Sequence, residues 1–258
     1  MARLTLLAIA LVCACTASAL ADPALDALVA AYPDHLAGYD EKDLIWKDGT
    51  RMPIASNGPA KSFEQSLDFP DIKDQFAIPY PLGRELKVPA LNEDPGRIRN
   101  EKFFLKMYGD CRNGEVVKRL KPVSWMPSRR GGSVSVTTVN GVNERLAAVV
   151  KDLETLPADM TKFLVPSAGA YNCRTIANTS RLSVHAFAAA IDINDKLSDY
   201  WEWSKGKDGW KNRIPAAIGE VFERHGFIWG AKWYHFDTMH FEYRPEIIAF
   251  AKQGWPRK

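Results

Sequence analysis

Residues 215–243 read PAAIGEVFERHGFIWGAKWYHFDTMHFEY, and the fold class turns on this stretch. Pro215 suits the first turn of a helix, where a backbone N–H has no intrahelical partner to lose. Ile218, Val221 and Phe222 then recur on one face at helical spacing, and Gly226 supplies the stop. After it the pattern changes: Phe227 to Trp229 and Met239 to Tyr243 read as short strands. Working upstream, Phe163-Leu164-Val165 is expected to be a short buried strand ended by Pro166. Val134, Val136 and their threonine neighbours favour another strand, which Asn140-Gly141 turns into a helix carrying Val142, Leu146, Val149, Val150 and Leu153 on one side. Helices and strands that interleave without regular alternation predict an α+β fold, with a small, largely antiparallel sheet flanked by helices.

Before residue 131 the chain is less periodic and rich in Pro, Asp and Lys. Leu25, Leu28, Val29 and Tyr32 form a helical stripe that Pro33 ends, and Leu44-Ile45-Trp46, Lys47-Asp48-Gly49 and Arg51-Met52 read as a hairpin. Residues 22–130 are therefore expected to be a wrap or subdomain lying on a catalytic domain of residues 131–258. The start of the chain, a basic Arg3, an apolar run from Leu4 to Cys15 and Ala19-Leu20-Ala21, has the form of a secretory signal peptide over residues 1–21. An uncleaved anchor, or a lipid on Cys15, is the alternative. No second apolar run is long enough to span a bilayer, so the mature chain is expected without a transmembrane segment, in the periplasm or secreted, and as a monomer.

Loss of the leader removes Arg3 and takes the formal charge from +3 to +2, with no dense basic run, which argues against a nucleic-acid partner. It also removes two of the four cysteines. Cys111 and Cys173 remain, and in an oxidising compartment they are expected to pair, with two buried thiols as the alternative.

The chemistry begins at Asp192, set in Ala188-Ala189-Ala190-Ile191-Asp192-Ile193. A carboxylate buried in such a run needs a cation, either an arginine or a metal. His185 lies seven residues earlier. Trp233-Tyr234-His235-Phe236-Asp237-Thr238-Met239-His240-Phe241-Glu242 adds two imidazoles and two carboxylates among aromatics. An Asp with two His and one open position is a normal catalytic zinc set, whereas closed structural sites take four ligands rich in Cys. His235 is either a fourth ligand or a pocket wall. His35 and His225 read as ordinary surface or capping residues. Trp201, Trp203, Trp210, Trp229 and Trp233 read as core anchors, with sugar stacking as the alternative.

Ser183-Val184-His185-Ala186-Phe187-Ala188-Ala189-Ala190-Ile191-Asp192 resembles the Ser-x-His-x-x-Gly-x-Ala-x-Asp signature of the D-alanyl-D-alanine carboxypeptidase and VanX-like zinc peptidases. Asp237-Thr238-Met239-His240 resembles that family's second signature, and Tyr171-Asn172-Cys173-Arg174 with Gly226-Phe227-Ile228-Trp229-Gly230 is similar to its endolysin-like branch, which cuts L-Ala-D-Glu bonds. The resemblance covers roughly residues 137–246. It implies a Hedgehog/D-Ala-D-Ala peptidase-like fold and one catalytic zinc ion held by His185, Asp192 and His240. It further implies Asp237 as general base, Arg174 facing the scissile carbonyl, Ser183, Tyr171, Trp233 and His235 as substrate contacts, and peptidoglycan peptides as substrate.

Two points stay open in the sequence. Residues three apart on a flat strand face opposite ways, so Asp237 and His240 share a site only across a turn or bulge, while Glu242 shares the face of His240 and is a rival base or a supporting partner. Ala188 stands where the signature has Gly, and Ala231 stands second in Gly230-Ala231-Lys232-Trp233, where Gly-Gly-x-Trp is common. A module that keeps the metal and binds cell wall without turnover, or a hydrolase of non-peptide substrates, are the rival readings.

Overall fold

The computed structural model describes residues 21–56, 58–204 and 209–254, so the signal-peptide expectation falls almost wholly outside the described residues. In chain order these form helix α1 (Pro23–Ala31), strands β1 (Leu36–Tyr39), β2 (Asp43–Trp46) and β3 (Arg51–Pro53), and helices α2 (Phe63–Asp68) and α3 (Glu101–Tyr108). Strands β4 (Leu120–Ser124) and β5 (Ser133–Thr137) and helices α4 (Val142–Leu153) and α5 (Thr161–Leu164) follow. The chain closes with β6 (Ala190–Asp192), α6 (Ala216–Arg224), β7 (Phe227–Trp229), β8 (His240–Tyr243) and α7 (Pro245–Lys252). The class is α+β. The strands form small antiparallel sheets, ordered β1-β2-β3, β4-β5 and β6-β8-β7.

Local chemistry explains the elements. Asp22 caps α1 by accepting from the amides of Ala24 and Leu25, Pro23 starts the helix, and Leu25 and Leu28 are buried beneath it. The β2–β3 hairpin forms as its Asp-Gly turn predicts. Phe163-Leu164-Val165 departs from expectation: Thr161–Leu164 is one turn of helix continuing from a tight turn at Ala158–Met160. A three-residue apolar run carries no period, and the preceding turn decides its conformation.

The sheet β6-β8-β7 positions the site. Its outward face is sealed by α6: Phe222 stacks on Phe241 with ring centroids 3.7 Å apart, and Trp229 is fully buried against the helix. A Cβ on Gly219 would stand 2.3 Å from Trp229 Cε3, so the helix tolerates a glycine costing about 1 kcal/mol in propensity to let the indole pack on its backbone. On the other side α1 lies against α7, and Tyr32 Oη donates to Glu246 Oε2 at 2.6 Å. Glu246 also accepts from Nε of the fully buried Arg244 at 2.5 Å. A disulfide joins Cys111, just after α3, to Cys173. Among the described residues no helix is long and apolar enough to cross a membrane.

Candidate active site

The register of β6 on β8 sets Asp192 directly opposite His240. Side chains at such a pair emerge on one face with Cβ atoms about 5 Å apart, so a strand pairing alone brings two ligands together. His185 arrives from a single turn of 3-10 helix, Val184–Phe187, whose first amides are capped by Ser183. Ala188 then takes a left-handed conformation, φ +54° and ψ 30°, and turns the chain into β6. Position 188 is therefore the place in the signature where glycine relieves strain, and here alanine bears it.

The three side chains converge. His185 Nε2 lies 3.1 Å from His240 Nδ1 and 3.2 Å from Asp192 Oδ2, and His240 Nδ1 lies 3.0 Å from Asp192 Oδ1. Zinc–nitrogen bonds of about 2.0–2.1 Å at tetrahedral angles require ligand separations of about 3.3 Å, so the triangle fits one such ion. The outer ring nitrogen of His185 is also settled. His185 Nδ1 lies 2.5 Å from the Ala170 carbonyl, to which it donates, leaving Nε2 as the inward lone pair. His240 points Nδ1 inward, with Nε2 3.6 Å from Glu242 Oε2.

Glu242 stands behind His240 and is fully buried. Arg99 binds both of its oxygens, at 2.8 and 2.7 Å, and Arg244 Nη1 lies 3.2 Å away. Burial pushes its carboxyl up, but Arg99, the neighbouring His240 and Arg244 outweigh this and hold it well below the ordinary range. Glu242 is thus a locked anion that supports a histidine, remote in role from a proton acceptor. Burial also disfavours charge on Asp192 and His240, yet attraction prevails: His185 and then His240 hold Asp192 far below the usual carboxylate value, and Asp192 pushes His240 up to about 10. The trio therefore holds positive charge firmly, as a proton or as a divalent ion in its place.

Asp237 solves the spacing problem by a turn. His240 N donates to Asp237 O at 3.1 Å, closing a tight turn that brings residues three apart to one side. Gly230 permits it: a Cβ there would lie 2.4 Å from the Asp237 carbonyl oxygen, and Asp237 N donates to Gly230 O at 3.0 Å. The first glycine position is thus sterically required, whereas Ala231 is accommodated, fully buried. Among the described residues nothing hydrogen-bonds to the buried Asp237 Oδ1. Burial, with repulsion from Asp192, pushes this carboxyl up to about 6.

A cavity of about 310 Å³ opens over the trio. Arg174, Ser183, Trp233, His235 and Asp237 line it, while Tyr171 is absent from its walls and packs half-buried against the core. Ser183 serves chiefly as the cap of the His185 turn. Trp233 is a buried wall, its Nε1 donating to Pro95 O at 2.8 Å and its ring centroid 5.7 Å from that of His240. His235 is not in the ligand trio: its Nδ1 pairs with Asp94 at 2.6 Å, and its ring lies between Phe63 and Trp201. Trp201 and Trp203 also line the cavity, Trp229 is core, and His225 caps the end of α6 and binds Asp152 at 3.0 Å.

Sequence reasoning missed Asp94, Arg97 and Arg99. All come from the stretch before residue 131: Asp94 holds His235 and, at 2.6 Å, Arg97, while Arg99 holds Glu242. The one available signal was a charged run, Asp94-Pro95-Gly96-Arg97-Ile98-Arg99, inside a segment otherwise read as extended loop.

Residues 177–243 match the sequence family described as D-alanyl-D-alanine carboxypeptidase. Within the matched segment lie all three converging side chains and Asp237; Arg174, Asp94, Arg97 and Arg99 precede it. Comparison with curated proteins and with solved structures yields no match.

Proposed function

We propose that the chain is a zinc peptidase that hydrolyses peptidoglycan stem peptides outside the cytoplasm, as a D-Ala-D-Ala carboxypeptidase or an L-Ala-D-Glu endopeptidase of the endolysin-like branch. The observation that carries this reading is the convergence of His185, Asp192 and His240 at 3.0–3.2 Å beside a buried carboxyl, Asp237, with an uncommitted oxygen. The donor set suits zinc: two imidazoles, which give up any proton to a bound ion, and one carboxylate, with Ala170, Glu242 and the strand pairing behind them. A disulfide accords with an extracytoplasmic compartment. On this reading residues 131–258 form the catalytic domain, and residues 22–130 a wrap supplying part of its wall.

When bound, zinc supplies Lewis acidity towards a peptide carbonyl and lowers the pKa of water. The remaining work falls to the protein. Asp237, with a pKa raised towards neutrality, accepts a proton at Oδ1 and returns it to the departing amine, a role worth about a hundred- to ten-thousand-fold. Arg174, exposed at the cavity wall, offers its guanidinium to the oxyanion. Trp233 and Met239 exclude water from the buried side of the trio.

Mass spectrometry of purified peptidoglycan after digestion tests the reading. Wild-type protein should release D-alanine or shortened muropeptides, lose this activity with chelator and regain it with zinc, and Asp237→Asn should be at least about a hundred-fold slower. Equal, null profiles for wild type and Asp237→Asn, with both proteins bound to the wall, would establish the non-catalytic alternative.

A further inference from the structure

A second cavity, about 560 Å³, adjoins the one above the trio, and Arg97, Arg99 and Ile176 line both. Its walls come from the start of α3, the edge of α2 and the loop before His185, with Phe104, Leu182 and Phe187 forming an apolar floor. Arg181 and Lys102 also line it.

The arginines at the junction are built in an unusual way. Arg97 is anchored through Nη1 to Asp94, and Arg99 through Nε and Nη2 to Glu242. Both carboxylates are fully buried, so each guanidinium is fixed from behind while its side chain lines the cavities. Arg181 completes the group. Among the described residues no group accepts a hydrogen bond from its buried Nε, and its nearest counter-charge is the well-exposed Asp68 at 3.3 Å. Arg97 and Arg99 repel it, and Asp68 and Glu101, which line the same cavity, attract it. Its Nε nevertheless stays buried without an acceptor, which costs stability unless a ligand oxygen reaches it, and the two backed guanidiniums beside it favour an anionic one. Planar guanidiniums favour a carboxylate, which they bind through paired hydrogen bonds.

We infer that Arg97, Arg99 and Arg181 form a carboxylate-binding subsite at the junction of the two cavities, so that the preferred peptide carries a free carboxylate apart from the bond cut and runs on into the larger cavity. This rests on the peptidase reading for the identity of its ligand, but the subsite is testable without turnover. The apolar floor receives the aliphatic part of the next residue, and the arginines select against peptides amidated at that carboxylate.

The experiment is calorimetric binding of the tripeptide L-Ala-γ-D-Glu-L-Lys, and of its two forms amidated at one carboxylate each, to metal-stripped full-length protein. Wild type should bind the free acid about ten-fold or more tightly than one of the amides, the scale of a charge-assisted hydrogen bond. Arg181→Gln should lose that preference, Arg181→Lys should keep part of it, and thermal melting should show both variants folded. Equal affinity for all three peptides, or an unchanged preference in folded Arg181→Gln, would overturn the inference. So would inorganic phosphate binding as tightly as the tripeptide with no discrimination among its amides, since the site would then serve phosphate. Digestion with zinc restored separates the two readings. Carboxylate-selective binding without cleavage of any peptidoglycan refutes the peptidase and keeps the subsite; cleavage without carboxylate selectivity does the reverse.

Discussion

Glu242→Gln asks whether the carboxylate beside His240 acts on substrate or on the protein. In the structure it is fully buried, grips Arg99 by two hydrogen bonds of 2.7–2.8 Å and lies 3.2 Å from Arg244. Glutamine has nearly the same shape but carries no charge, and its amide turns a donor towards guanidinium donors. Arg244 keeps Glu246, but Arg99 loses the carboxylate it clasps. Breaking a buried pair by removing one partner costs about 3–5 kcal/mol. For a domain of this size each kcal/mol corresponds to about 2–4 °C, so the melting temperature should fall by about 6–20 °C. Zinc affinity should also weaken, by about ten- to a hundred-fold, because His240 loses the anion behind its ring. Thermal unfolding of the metal-stripped protein, with zinc titration followed by competition with a chromophoric chelator, measures both. A variant as stable as wild type that binds zinc normally but has lost peptidase activity would refute this account and make Glu242 a proton acceptor.

Four further outcomes are expected. Ala188→Gly relieves about 1–2 kcal/mol of left-handed strain, but it loses a buried methyl worth about 0.8 kcal/mol and adds about 0.4–1 kcal/mol of unfolded-chain entropy; urea unfolding should therefore place it within about 1 kcal/mol of wild type. Ala188→Val, β-branched in the same conformation, should fold poorly, read by soluble yield and near-ultraviolet circular dichroism. Removing the disulfide by Cys111→Ser with Cys173→Ser opens a loop of sequence separation 62 and should cost about 4 kcal/mol in denaturant unfolding, with activity at low temperature retained. Asp237, raised by burial to about 6, must be deprotonated to accept a proton, so kcat/KM should fall as pH drops through this value; a bound cation shifts the limb lower, and a limb above pH 7 that persists in Asp237→Asn would point to another group.

What the sequence disclosed and what it hid separate along physical lines. His185, Asp192, Asp237 and His240 were legible through resemblance to a family signature, whose spacing reflects local geometry: a turn of 3-10 helix, a strand and a tight turn, each set by a few neighbouring residues. Cys111 and Cys173 were legible because, with residues 1–21 read as a leader, one possible partner remained for each. The roles of Arg99 and Asp94, and of the Arg97 that Asp94 holds, were hidden, since contacts with Glu242 and His235, 143 and 141 residues away, impose no period on either segment. Glu242 illustrates the boundary: strand alternation put it beside His240 correctly, but only Arg99, from the far half of the chain, shows that it is clamped. Phe163-Leu164-Val165 failed for a simpler reason, being too short to show helix or strand repetition.

The pairing of β6 with β8 has a consequence for assembly of the molecule. A strand shifted by one residue presents the opposite set of side chains, so a misaligned β6 would bury the Asp192 carboxylate among Phe241, Phe222 and Trp229 and turn Ile191 towards the histidines. Such a misthreaded chain could not capture a divalent ion, whereas the correct alignment gathers three donors for it. On the zinc-peptidase reading, metal capture would proofread the knitting of the sheet, and a refolding chain offered zinc early should reach its native weave in higher yield than one starved of it.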